Sequence, residues 1–234
     1  MTQQRPRRRS ARTVLVVLAL ALALVAAACG GSKDSGGGGS TQLSADNCDT
    51  DPTGVTVTGD TITLGTSIPQ SGLYSPFKEI LLGEQAYIDY VNAEKGGFEL
   101  AGKKYKVKLV AKDDAYEASR TVTNVQSLIT SDKVFGLFDV VGTKNNLAIR
   151  DNVNDGCVPN LFAATGSPAW GNHDYPWIIG TFLVPYPLEM KALVDYLQEN
   201  QPSATIAVLR ANDDFGKAYS ESLDRKSTRL NSSH

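Results

Sequence analysis

The chain is poor in the residues that most catalysis needs. Its 234 residues hold three cysteines and two histidines, and one of those histidines, His234, is the final residue. A Ser–His–Asp or Cys–His hydrolase would have to use His173, in the loop WGNHDYP beside Pro176. There is no G-x-S-x-G elbow, no Gly-rich phosphate loop and no Cys/His metal spacing. The expectation is therefore a protein that is not an enzyme, with no catalytic residues, no metal and no other cofactor. Internal repeats and coiled-coil heptads are missing too.

Basic charge is also scarce where it would matter. Residues 1–28 carry five Arg and no acid, and residues 224–234 carry three basic residues and one acid. Between them, residues 29–223 hold 15 basic and 24 acidic residues, a net of −9. An acidic body without a basic stripe excludes nucleic acid as the expected partner. A charge of that size serves solubility and names no partner by itself.

What is present begins with an address. Arg5–Arg12 form a basic region, and Val14–Ala28 form an apolar run that ends in small residues. The run is short for a membrane span and reads as a secretory signal peptide over 1–28. It ends LVAAAC at Cys29, a pattern that resembles the bacterial lipobox, whose cysteine is lipidated. Such an anchor gains about 0.8 kcal/mol per buried CH₂. The expected location is outside the cytoplasm, on the outer face of the bacterial cell membrane. Residues 29–45 are rich in Gly and Ser and read as a flexible tether. With Cys29 lipidated, Cys48 and Cys157 remain, and in an exported chain they are expected to pair. A loop of that length, about 108 residues, gives roughly 4–5 kcal/mol on the chain-entropy model.

The body is organised around ITLGTSIPQSGLYSPFKEILLGEQAYIDYVNAEKGG, residues 62–97. It reads as a buried strand, a Pro/Ser/Gly turn and an amphipathic helix with Ile80, Tyr87 and Val91 on one face. KKYKVKLVAKDD follows as an alternating strand ended by Asp113-Asp114. Residues 117–131 form a helix buried at Val122, Val125 and Ile129. The apolar run Val134–Val141 is a strand covered on both faces. Thr143 is placed to cap the helix after it. CVPNLFAATGSPAWG and WIIGTF are further strands with a polar loop between them. A helix over 189–199, a strand in ATIAVLRAND and a helix from FGKAYSESL complete the order. Strand-helix alternation of this kind predicts an α/β fold, a parallel sheet flanked by helices. SIPQSGLYSPF, VGTKNN and ATGSPAWG should then open on one carboxyl edge, where small polar ligands bind. Trp170 and Trp177 read as packing residues, and Ser71 as either a turn residue or a ligand contact.

Over about residues 54–223 the chain resembles the type I periplasmic binding proteins of the branched-chain amino acid group, substrate-binding components of ABC importers. The pieces that carry the likeness are LGTSIPQSG, GEQAYIDYVNAEKGG, VAKDDAYEASRTV, CVPNLFAATGSPAWG, YPWIIGTF and IAVLRANDDFGKAYSESL. The resemblance implies two α/β lobes that close on a ligand: a first lobe over 46–180 and the start of a second over 181–223. It also implies an amino acid or related small carboxylate as ligand, and an ABC permease as partner. Its ligand-binding set on this chain is Ser71, Phe77, Thr143, Ala163, Ala164, Thr165 and Phe215. Thr143 and the AAT segment would grip a carboxylate, while Phe77 and Phe215 stand at ring positions that often hold Tyr or Trp. Two further readings of the same fold stay open: the ligand-binding module of a sensor or receptor, and a binder of amides or urea. Residues 224–234, DRKSTRLNSSH, match the translation of a common sequencing-library adapter. They are expected to be an assembly artefact that truncates the second lobe at 223.

Overall fold

The computed structural model describes residues 59–100, 102–181 and 183–231, with side chains described to residue 223. The expected signal peptide and tether, with Cys29 and Cys48, lie outside the described residues.

One sheet carries the structure. Its strands are β1 (Thr61–Ile68), β2 (Phe98–Leu100), β3 (Lys103–Asp113), β4 (Gly136–Phe138), β5 (Asn160–Ala163) and β6 (Ile178–Gly180). Their spatial order is β2-β3-β1-β4-β5-β6. β1, β3, β4, β5 and β6 run parallel, and β2 pairs antiparallel with β3 at the edge. β1 is central: Leu64 lies opposite Leu109 of β3 on one side and Gly136 of β4 on the other. The alternating pattern of β3 is visible in its burial, with Tyr105, Val107 and Leu109 less exposed than Lys106 and Lys108.

The helices are α1 (Lys78–Glu94), α2 (Ala118–Thr130), α3 (Thr143–Asp155), α4 (Tyr186–Asn200) and α5 (Asp214–Asn231). A short 3₁₀ turn, Ser75–Phe77, leads into α1. Two clusters form the core. The larger joins Val125 and Leu128 of α2, Leu137 of β4, Ile149 and Val153 of α3, and Ile178 of β6. The smaller joins Ile68, Leu81 of α1, Tyr116 and Val141. Neighbouring residues of β3 serve different clusters: Val110 packs on the larger, Leu109 and Ala111 on the smaller. Both faces of the sheet are therefore packed, as the apolar strands require.

Three local expectations are corrected. α1 buries Leu81, Ile88 and Val91, whereas Tyr87 is 61% exposed. One residue along a helix turns its buried stripe by about 100°. The run 134–141 is a strand only over Gly136–Phe138, because Asp139 takes a left-handed φ of 52° that breaks the ladder. Chain pairing resumes at Val141, which bridges to Ala164. Residues 204–210 form no strand, and Ile206, Val208 and Leu209 are exposed. A strand needs a neighbour for its backbone groups, and no described strand flanks this segment. α4 and α5 pack on each other, and α5 is continuous across residue 223.

Behind Asp139 stands a second carboxyl, Glu84 of α1. Burial, then the hydrogen bond and charge of Asp139, hold the Glu84 carboxyl far above its ordinary value of 4.5. The folded chain thus keeps a proton that the unfolded chain gives up. Stability from this site is full below pH 4.5 and falls as the pH rises above it. Urea unfolding of the Glu84→Gln variant from pH 4.5 to 8 should show less loss of stability with rising pH than the parent protein.

Candidate functional site

The parallel strands send their following loops to one edge, and five segments meet there. The loop after β1 holds Ser71, Tyr74 and Phe77. The turn after β3 holds Asp114 and Tyr116, and the N-terminus of α3 holds Thr143. The segment after β5 holds Ala164, Thr165 and Ser167, and the start of α4 holds Tyr186.

Two acidic residues fasten the first loops. Asp113 accepts the N–H of Gln70 at 2.8 Å, the N–H of Ala115 at 2.9 Å and the Ser71 hydroxyl, with Arg120 3.5 Å away. Ser71 is thereby committed to shaping its own loop. Burial raises the Asp113 pKa, but the Ser71, Gln70 and Ala115 hydrogen bonds and the charge of Arg120 outweigh it, and the result is about 2. Asp114 is fully buried. It accepts the Ser67 hydroxyl at 2.7 Å, the Thr121 hydroxyl at 2.9 Å, the Tyr116 N–H at 2.9 Å and the Asn145 amide at 3.3 Å.

Asp114 sets Tyr116, which is buried with φ of 65°. The Tyr116 ring lies 4.1 Å from that of Tyr74, and Tyr74 stacks on Phe77 at 6.1 Å. Lys144 sits 4.7 Å over the Tyr116 ring. A Cβ on Gly142 would meet that ring at 2.5 Å, and Gly142 also has φ of 104°. Only glycine fits there. Burial, followed by the charges of Asp213, Tyr74, Tyr186 and Asp114, pushes the Tyr116 phenol above its ordinary range.

Thr143 is the first residue of α3, and the N-cap is Gly142, which has no capping side chain. The expected capping role is corrected accordingly. Instead the Thr143 hydroxyl meets the Thr165 hydroxyl at 2.6 Å. Thr165 also lies 3.1 Å from the Tyr186 hydroxyl and accepts the Ser167 N–H at 3.2 Å. The backbone of the AAT segment is used internally. The Ala164 N–H donates to Val140, the Ala164 carbonyl accepts from Gly142, and the Ala163 carbonyl accepts from Thr165 and Thr181. Ala163 is buried in the larger core cluster. Thr143 and Thr165 add two side-chain hydroxyls to this edge.

Phe215 is placed edge-on to Tyr186 at 5.5 Å and to Tyr219 at 5.2 Å. The structure thus brings Thr143, Thr165 and Phe215 together through Tyr186. Phe77, 39% exposed, joins Tyr74 and Tyr116. Sequence reasoning missed Tyr74, Tyr116 and Tyr186. The signal was available for the first two, each a Tyr in the loop that follows a strand. Tyr186 lay before residue 189, where the helix was expected to begin, whereas the helix starts at Tyr186 itself. Trp170 packs against the larger core cluster and His173 is exposed. Among the described residues no group of His, Cys, Asp or Glu could hold a metal ion.

The carboxyl edge of this parallel α/β sheet thus carries the hydroxyl pair Thr143–Thr165 with Tyr186 beside it. The chain belongs to the periplasmic binding protein family, whose model matches residues 61–231. Its fold is that of the type I members, in part. A possible leucine/isoleucine/valine-binding protein from Rhodopirellula baltica is 24% identical, with a TM-score of 0.65 over 76% of this chain and 48% of that one. A substrate-binding periplasmic protein from Ralstonia solanacearum is 26% identical, with a TM-score of 0.64 over 73% and 46%. A branched chain amino acid ABC transporter protein from Thermus thermophilus, solved with bound valine, is 19% identical, with a TM-score of 0.63 over 73% and 43%. The chain spans about half the length of these relatives. Family and fold are those of substrate-binding proteins.

The depressed pKa of Asp113 has a checkable consequence. Its hold on Gln70 and Ser71 is complete above the ordinary value of 3.8 and is lost as the pH falls toward about 2. An NMR titration of the Asp113 carboxyl carbon should have its midpoint near 2, and Arg120→Ala should move it upward.

Proposed function

We propose that this chain is the extracytoplasmic solute-binding component of an ABC importer, and that it takes an amino acid of branched-chain type or a similar small carboxylate. The observation that carries the reading is the hydroxyl pair Thr143–Thr165, 2.6 Å apart at the carboxyl edge. A carboxylate is best held by several N–H or O–H donors in a concave, partly apolar site. Tyr74, Phe77, Tyr116 and Phe215 provide rings for the rest of the ligand. The valine found in the Thermus thermophilus relative supports the same ligand class. In this reading a second lobe closes over the ligand by hinge motion, and the closed form docks on a permease.

Isothermal titration with L-leucine, L-isoleucine, L-valine and 3,4-dihydroxybenzoate tests the ligand class. At least one should bind, and Thr143→Val should weaken it about tenfold, the worth of a hydrogen bond to a charged group. If none binds, the small-carboxylate reading fails.

The remaining parts of the proposal concern the amino-terminal region. We infer that Cys29 is the lipidated residue that holds the protein to the outer face of the cell membrane. We also infer that Cys48 pairs with Cys157, which is buried. Cells making the protein should incorporate labelled palmitate into it and retain it in the membrane fraction. Cys29→Ala should abolish both, and label that persists on this variant would remove Cys29 from the reading.

A further inference from the structure

Tyr186 is built into the site with more care than a packing residue needs. Its N–H donates to the Gly166 carbonyl at 2.8 Å, and its ring lies against Gly166. A Cβ at residue 166 would meet that ring at 2.6 Å, so the ATG sequence clears a place for it. On its other side the ring stacks on Tyr219 at 4.1 Å with 28° between planes. Tyr219 in turn donates to Glu189 of α4. The hydroxyl at the tip reaches Thr165 at 3.1 Å.

The burial figures decide what this arrangement does. Thr143 is 1% exposed and Thr165 is 3% exposed, so neither hydroxyl has an open face. Two roles for Tyr186 are conceivable. It could grip a ligand beside the two threonines, or it could occupy the place of a ligand oxygen. Gripping requires the threonines to be reachable while Tyr186 stays where it is, and they are not. A buried hydroxyl pair also needs its hydrogen-bonding capacity filled, and the phenol fills it as a ligand oxygen would.

We propose that Tyr186 is an affinity- and specificity-determining residue, whose phenol stands on Thr165 in place of a ligand oxygen and must be displaced for ligand to enter. The proposal rests on the small-carboxylate reading of this site. It defines what gains entry: a ligand must bring an oxygen able to replace the phenol on Thr165, and an apolar ligand cannot. Binding is weakened by the fraction of molecules in which Tyr186 is in place.

The sign of the effect is the test. If Tyr186 competes with ligand, Tyr186→Phe keeps the ring and loses the hydroxyl, and L-leucine should bind about two- to tenfold tighter, the range of one net hydrogen bond. Unchanged or weaker binding by this variant overturns the proposal, and weaker binding would make Tyr186 a gripping residue. A second measurement needs no ligand. In a Thr165→Cys protein the new thiol should react slowly with iodoacetamide, and adding Tyr186→Phe or Tyr186→Ala should speed the reaction at least severalfold, read by mass spectrometry of that peptide. Equal rates overturn the proposal. If no small carboxylate binds to any variant while the labelling rates differ, the ligand class is wrong and the covering role of Tyr186 stands.

Discussion

The carboxyl edge depends on one buried anion. Asp114 has no exposed surface, and four donors from four parts of the chain converge on it. Ser67 comes from β1, Thr121 from α2, Asn145 from α3, and the fourth donor is the Tyr116 backbone N–H. Burying a carboxylate is costly unless such bonds replace its water. Here they do, and each bond also fixes an element. Asn124 extends the network by donating to Ser67 and to the Asp113 carbonyl. Removing any one of these elements would leave the carboxylate short of a donor, so the sheet edge and both helices are held as a unit.

A second polar layer continues the same logic toward β5. Asn146 donates to the carbonyls of Val140 and Gly142, and Asn160 donates to Asn146. These side chains satisfy backbone groups where Asp139 has interrupted β4. The irregularity that shortens the strand is therefore compensated by buried amides. It also turns the chain so that Gly142 passes under Tyr116 and delivers Thr143 to Thr165. Strand interruption, amide support and hydroxyl pairing form one causal sequence.

Much of this was legible in the residues, and the losses have physical reasons. Strand-helix alternation gave the sheet, its parallel sense and the three loops that open on one edge. The AAT segment and Thr143 were recognised, and the structure does bring their hydroxyls together. The stripe of α1 was misplaced because Ile80 and Leu81 are both apolar, and only packing selects between them. Asp113 and Asp114 read alike in sequence, yet one carboxylate is wholly buried and the other keeps Arg120 beside it. Composition cannot separate two adjacent acids, one ending a strand and the other opening the turn after it. ATIAVLRAND has the composition of a strand, but strand formation depends on a partner elsewhere. Tyr186 was invisible because its importance comes from a void left by Gly166, twenty residues earlier in the chain.

The segment at 204–210 leaves apolar side chains and backbone groups outside the described sheet. Ile206, Val208 and Leu209 are exposed on a stretch whose backbone groups have no described ladder. Such a stretch is a template for any edge that reaches it, including the same stretch on another copy.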